Sequence, residues 1–145
     1  AALGALPPVA AARPRERGRI LVSGFLGHER ERARAVSAAG LEGVLGSETP
    51  GSLYPIMADG YLGGALFHTP NVYDFPVCMH IVRALGGDAV WVKDGRPVHF
   101  GELWLDGRSN MLRLPGIVAC AIDRRVMATL VDVARGWSEE RYGGA

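Results

Sequence analysis

The sequence predicts an α/β domain, a layered sandwich in which helices flank a mostly parallel mixed sheet, and three observations lead there. Short apolar runs of strand length alternate along the chain with segments whose apolar residues recur at helical spacing. The clearest unit spans residues 61–87: an apolar run, a polar His68-Thr69-Pro70-Asn71-Val72-Tyr73-Asp74 junction, a helical stretch and a Gly86-Gly87 stop. The length also counts, since 145 residues with 48% hydrophobic content suffice for one core and are too few for two domains.

Residues 1–18 combine Ala, Pro and an Arg13-Pro14-Arg15-Glu16-Arg17 cluster without a regular period, and read as an N-terminal linker or tail. Residues 19–23, Arg-Ile-Leu-Val-Ser, give a short strand. A polar, Arg-rich helix is expected over 28–39, with Ala33, Val36 and Ala39 on its apolar side and Gly40 as its stop. A second strand at 41–45 leads through a Gly- and Pro-containing loop to Ser52, a good N-cap for a helix carrying Leu53, Ile56 and Met57. Pro55 falls in that helix's tolerant first turn. The third strand covers 61–67. Asp74 can cap the next helix, whose Val77, Cys78, Ile81, Val82 and Leu85 keep helical spacing up to the glycine pair.

Residues 89–92 and 97–100 flank Lys93-Asp94-Gly95-Arg96, and Asp-Gly suits a tight hairpin because both central positions need positive φ. A second turn is expected at Asp106-Gly107, then a buried strand at 117–121. Asp123 should cap a last helix with Val126, Met127, Leu130 and Val133 inward. The domain is expected over 19–136, with 137–145 as a C-terminal tail.

Composition removes several functions. With 16 basic and 15 acidic residues the net charge is +1, so nothing in bulk electrostatics points to nucleic acid or an anionic membrane as a partner. Cys78 and Cys120 lie in apolar runs, as small buried thiols do, and a reduced, cytoplasmic setting is expected. The Ala-rich start lacks a basic leading region and carries Pro7-Pro8, which makes a poor signal peptide. The first residue is Ala rather than Met, which suggests processing or a piece of a longer chain.

Asp74 is the leading functional residue, because the end of a sheet strand beside a helix start is where α/β proteins collect ligands, and a carboxylate there can hold a hard cation. A plain helix cap is the commoner role for such an Asp. Gly51-Ser52, the apolar run 61–67, Tyr73-Asp74 and Gly86-Gly87 occur in the order and spacing seen in the C-terminal half of the inositol monophosphatase superfamily. From about residue 19 to 135 the chain resembles that half.

The resemblance implies a Mg²⁺-dependent hydrolase that cleaves a small phosphate monoester with metal-activated water. It makes Asp74 a metal ligand, sets the Gly51-Ser52 backbone against substrate, and gives Tyr73 the place of an aromatic wall, where the superfamily usually has Trp. His68 is a further substrate-site candidate, with strand termination as its other role. Phe67 replaces an acidic residue that grips an inositol hydroxyl in some members, which argues against inositol; Gly63 replaces another acid. No Asp-Pro dipeptide occurs, so the Asp-Pro-x-Asp-Gly segment of the superfamily's N-terminal half is missing and no catalytic residue is assigned. The expected partners are a small phosphorylated metabolite and a missing N-terminal half or partner chain, with a homodimer as an option. A non-catalytic module of the same fold, working in partner-chain assembly, is the alternative.

Other features carry less. Cys78 and His80 are two apart on a helix and face different ways, so a shared metal ion is disfavoured. Arg30, Arg32 and Arg34 read as a solvated face offset by Glu29 and Glu31. Trp91, Trp104 and Trp137 have no stacking periodicity and read as packing residues.

Overall fold

In the computed structural model, residues 17–142 are described, so the last three residues and all but the final two of the linker expected over residues 1–18 lie outside the described part. In chain order the elements are β1 (Arg19–Ser23), α1 (Glu29–Ala38), β2 (Glu42–Leu45), α2 (Leu53–Ala58), β3 (Gly64–His68), α3 (Phe75–Ala84), β4 (Asp88–Trp91), β5 (Trp104–Asp106), β6 (Met111–Arg113), β7 (Ile117–Ala121) and α4 (Arg124–Ala134). Five strands form one sheet in the order β2-β1-β3-β7-β4, and β5 and β6 form a separate hairpin. β1 runs parallel to β2 and β3, while β7 runs antiparallel to β3 and β4. The sheet is therefore mixed: four strands share a direction, yet half of its ladders are antiparallel.

Strands β3 and β7, Gly-Ala-Leu-Phe-His and Ile-Val-Ala-Cys-Ala, are buried at every position. That is the signature of strands covered on both faces. Successive side chains enter opposite cores. Ile20, Val22, Leu66 and Ala119 pack with Val36 of α1 and Leu130 of α4, whereas Leu21, Ala65, Phe67 and Cys120 pack with Met57 of α2 and with Phe75, Cys78 and Val82 of α3. Burying a side chain such as Leu66 contributes on the order of 1.5–3 kcal/mol.

The glycine pair after α3 closes it as expected. Gly86 sits at φ +94°, its N–H donates to the Arg83 carbonyl, and the Gly87 N–H donates to the Val82 carbonyl at 2.9 Å. Both bonds together are the Schellman arrangement, which only a residue without Cβ enters cheaply. At Gly63 a Cβ would collide with the Arg17 carbonyl, which explains why no acidic side chain stands at this position.

Three elements depart from the sequence reading. β3 starts at Gly64 because Leu62 donates back to the Ile56 carbonyl and closes α2 instead. The hairpin expected after β4 reduces to one bridge, Val90 with Pro97, since Pro97 has no N–H to continue a ladder. Residues 137–142, read as a tail, fold back over the domain as a strap. Trp137 meets Phe25 edge-on at 5.5 Å beneath the Arg32 guanidinium, the Glu139 carboxylate accepts from the Ile117 N–H, and the Tyr142 hydroxyl donates to Asp106 at 2.7 Å.

Candidate functional site

β1 sends the chain through α1 to β2 on one side, and β3 returns through α2 to the other side of β1. α1 and α4 pack on one sheet face, α2 and α3 on the other. The carboxyl ends of β1 and β3 therefore mark the topological switch point, where neighbouring connections diverge and leave a crevice. A cavity of about 480 Å³ opens there, with Tyr54, His68, Asn71, Asp74, Arg113 and Arg141 in its walls.

Asp74 is exposed and faces this cavity. It occupies the residue before α3 but does not cap it: at φ −103°, ψ −38° its backbone is already helical, and its side chain accepts no helix N–H. A capping side chain needs an extended backbone to turn back on the first turn. Asp123, at φ −109°, ψ 132°, has that backbone and accepts from the Arg125 and Val126 N–H groups at 2.8 and 3.1 Å. The cap expected of Asp74 is supplied by Asn71, whose Oδ1 accepts from the Tyr73 and Asp74 N–H groups at 3.0 and 2.9 Å. Its Nδ2 then donates to Asp74 Oδ2 at 3.2 Å. Asn71 holds one carboxylate oxygen, and the Tyr54 hydroxyl also lies within hydrogen-bond reach of the carboxylate, which makes no salt bridge among the described residues.

The Tyr54 hydroxyl donates to the Asp74 backbone carbonyl at 2.8 Å and fixes the junction from α2. Burial, reinforced by the nearby Asp74 carboxylate, pushes the Tyr54 hydroxyl up to about 12, so it stays a neutral donor.

Behind Asp74 the wall is a polar lattice. Thr69, 1% exposed, holds φ +44°, a left-handed conformation that costs a β-branched residue about 1–3 kcal/mol. Three bonds over-determine it: its N–H donates to the Gly116 carbonyl, its own carbonyl accepts from Arg113 Nη1, and its hydroxyl accepts from Arg141 Nη1. His68 Nε2 lies 3.0 Å from the Ser138 carbonyl, which can only accept, so that nitrogen carries the proton. Nδ1 then accepts from the Thr69 hydroxyl at 3.1 Å. Burial lowers the His68 pKa, with the neighbouring Arg141 charge adding to it against the Ser138 carbonyl, and the ring is neutral.

Asp106 anchors this lattice. It accepts from Arg113 Nε, from the Ser109 hydroxyl and from the Tyr142 hydroxyl at 2.7–2.8 Å. Burial alone would raise its carboxyl, but the hydrogen bonds from Tyr142, Ser109 and Arg113 outweigh that and hold it well below the usual carboxylate range.

The remaining expected site residues are placed differently. Gly51 and Ser52 are exposed, and the cavity wall begins one residue later, at Leu53. Tyr73 is 66% exposed and lies outside the cavity wall, while His68 lines it. No protein-family model matches the chain, and no curated protein matches it. Among the described residues, no three His, Cys, Asp or Glu side chains converge to hold a metal ion, and no helix is long and apolar enough to cross a membrane.

Asn71, Tyr54, Thr69, Asp106, Arg113 and Arg141 went unassigned in the sequence. Only Asn71 had a local signal: an Asn just after Pro70 and four residues before the first residue of α3 suits an Asx-turn. Among the others, Arg141 and Thr69 meet across a separation of 72 residues, and no spacing rule reaches that far.

Proposed function

We propose that this chain is the C-terminal α/β part of a Mg²⁺-dependent phosphomonoesterase resembling inositol monophosphatase, acting on a small phosphorylated metabolite. The observation that carries the reading is the Asp74 carboxylate, which is released from capping duty, aligned by Asn71 and open to the switch-point cavity. A carboxylate wasted on neither helix nor salt bridge, at the mouth of a layered sheet, suits a hard cation.

The fit to Mg²⁺ is partial. Asp74 would offer one oxygen ligand, and the remaining ligands would have to come from water, substrate oxygens and carboxylates of other polypeptide. When bound, the ion would neutralise phosphate charge and activate water. The chain's own residues have narrower tasks: Asn71 and Tyr54 hold the Asp74 segment at a fixed angle, and neutral His68 buttresses the cavity floor without adding charge. Phe67 in the wall favours sugar or nucleotide phosphates over inositol phosphates.

The reading is tested by mixing the chain with an N-terminal half of the superfamily that carries the Glu and Asp-Pro-x-Asp-Gly ligands, and following phosphate release from a panel of monoesters. Mg²⁺-dependent turnover that disappears with Asp74→Asn supports it; turnover indifferent to Asp74→Asn rejects it.

A second reading, a non-catalytic module that pairs with a partner chain, is favoured by the exposed apolar side chains of Tyr73, Val77, Leu103 and Leu105, which are 45–66% accessible. It predicts stable association with a partner chain and no turnover in the mixture.

A further inference from the structure

We propose that Arg113 and Arg141 form an oxyanion-binding wall of the same cavity, one that holds a phosphate or carboxylate group without any metal ion. The two guanidiniums are almost sealed, with side chains only 8% and 10% exposed, and both line the cavity. Among the described residues a single carboxylate reaches them: Asp106, bonded to Arg113 Nε at 2.8 Å and 3.5 Å from Arg141 Nε. Asp106 is ionised and His68 is neutral, so two positive charges share one negative charge and the buried cluster keeps a net charge of about +1.

An undercompensated buried cation is costly, and the cost falls when a counter-charge arrives from the cavity side that both arginines share. Arg113 directs its nitrogens to Asp106, the Thr69 carbonyl and the Ser109 hydroxyl and adds charge to the wall, whereas Arg141 is poorly satisfied. Its Nη1 reaches the Gly24 and His68 carbonyls and the Thr69 hydroxyl only at 3.2–3.4 Å, and its buried Nε makes no hydrogen bond. Guanidinium forks match the paired oxygens of phosphate and carboxylate, which is why the ligand class is an oxyanion. Glu139 and Glu140 are not in the wall of this cavity; they line a smaller one of about 310 Å³, which Arg141 also borders, and neither carboxylate forms an ion pair with Arg141. One Glu139 oxygen already accepts from the Ile117 N–H. Asp74 shares the larger cavity and opposes a bare anion there.

The subsite stands apart from the phosphatase reading, since it needs neither Mg²⁺ nor another chain. Inorganic phosphate and acetate are titrated separately into the 145-residue chain in excess EDTA, with amide NMR shifts of Gly24 and Thr69 as the readout. At least one titrant should shift these resonances saturably, and the tighter of the two names the preferred group. Arg141→Gln should weaken binding about tenfold or more. Asp74→Asn, which removes an opposing carboxylate from the same cavity, should tighten it. Where Arg141→Gln fails to fold, Arg141→Lys, which keeps the charge but loses the fork, should weaken binding about threefold or more. Absence of saturable shifts with both titrants, equal affinity in the Arg141 variant that folds, or loss of binding in Asp74→Asn overturns the proposal.

Discussion

Replacing Asn71 and Asp74 separately by Ala asks which of the two residues starts α3, and the structure gives unequal answers. The Asn71 side chain accepts two backbone N–H groups, from Tyr73 and Asp74, and donates once to the Asp74 carboxylate. Each backbone bond contributes about 0.5–1.5 kcal/mol net, and partial exposure pulls the pair toward the lower end, so Asn71→Ala should cost about 1–2 kcal/mol. For a domain of this size that lowers Tm by roughly 3–8 °C. Asp74 is exposed and caps nothing, so Asp74→Ala should change stability by no more than about 0.5 kcal/mol. Urea unfolding followed by circular dichroism measures both. A larger loss in Asp74→Ala than in Asn71→Ala would mean that Asp74 is a cap after all, and the functional reading of its carboxylate would fall with it.

Acid should act through Asp106. Its folded-state carboxyl binds protons less readily than the unfolded one, so the stability it supplies is complete above an unfolded pKa of about 3.9 and drains away as pH falls toward the lower folded value. Wild-type stability should drop between about pH 4 and pH 2, whereas Asp106→Asn should be less stable at pH 7 and flatter across that window; parallel pH profiles would contradict this. In the opposite core, Leu66→Ala leaves a hole at a site with 0% exposure and should cost about 2–5 kcal/mol in the same unfolding assay. Cys78 and Cys120 are both fully buried, and the hydrogen bond with Cys78, reinforced by burial, raises the Cys120 thiol. Neither should react with a thiol reagent in native buffer, and fast native labelling would show that the α3–β7 contact opens.

The backbone of the fold was legible because its signals are local. The apolar runs at β1 and β7, the glycine pair after α3 and the Asp123 cap each depend on residues a few positions apart, and the structure reproduces them. The α/β class followed from their alternation. The direction of β7 was not legible: its sequence is equally apolar in either orientation, and only the β5–β6 excursion before it reverses the chain. At the site, Asp74 was found by its position between strand and helix, but its capping role was misjudged because sequence does not reveal that ψ is −38° rather than extended. Gly51 and Ser52 fall one residue short of the cavity. The arginine wall escaped because its parts come from β6 and from a strap that composition marks as a tail, and they meet only once Asp106 is buried.

The central claim is that the Asp74 carboxylate holds a divalent cation at the switch point. Titrating Mn²⁺, as a paramagnetic stand-in for Mg²⁺, into the isotope-labelled chain tests it without any substrate or second polypeptide. Broadening should begin at the amides of Asn71, Asp74 and Phe75, spread to Tyr54 across the cavity, and vanish in Asp74→Asn. Broadening that starts elsewhere, or that persists unchanged in Asp74→Asn, would contradict it.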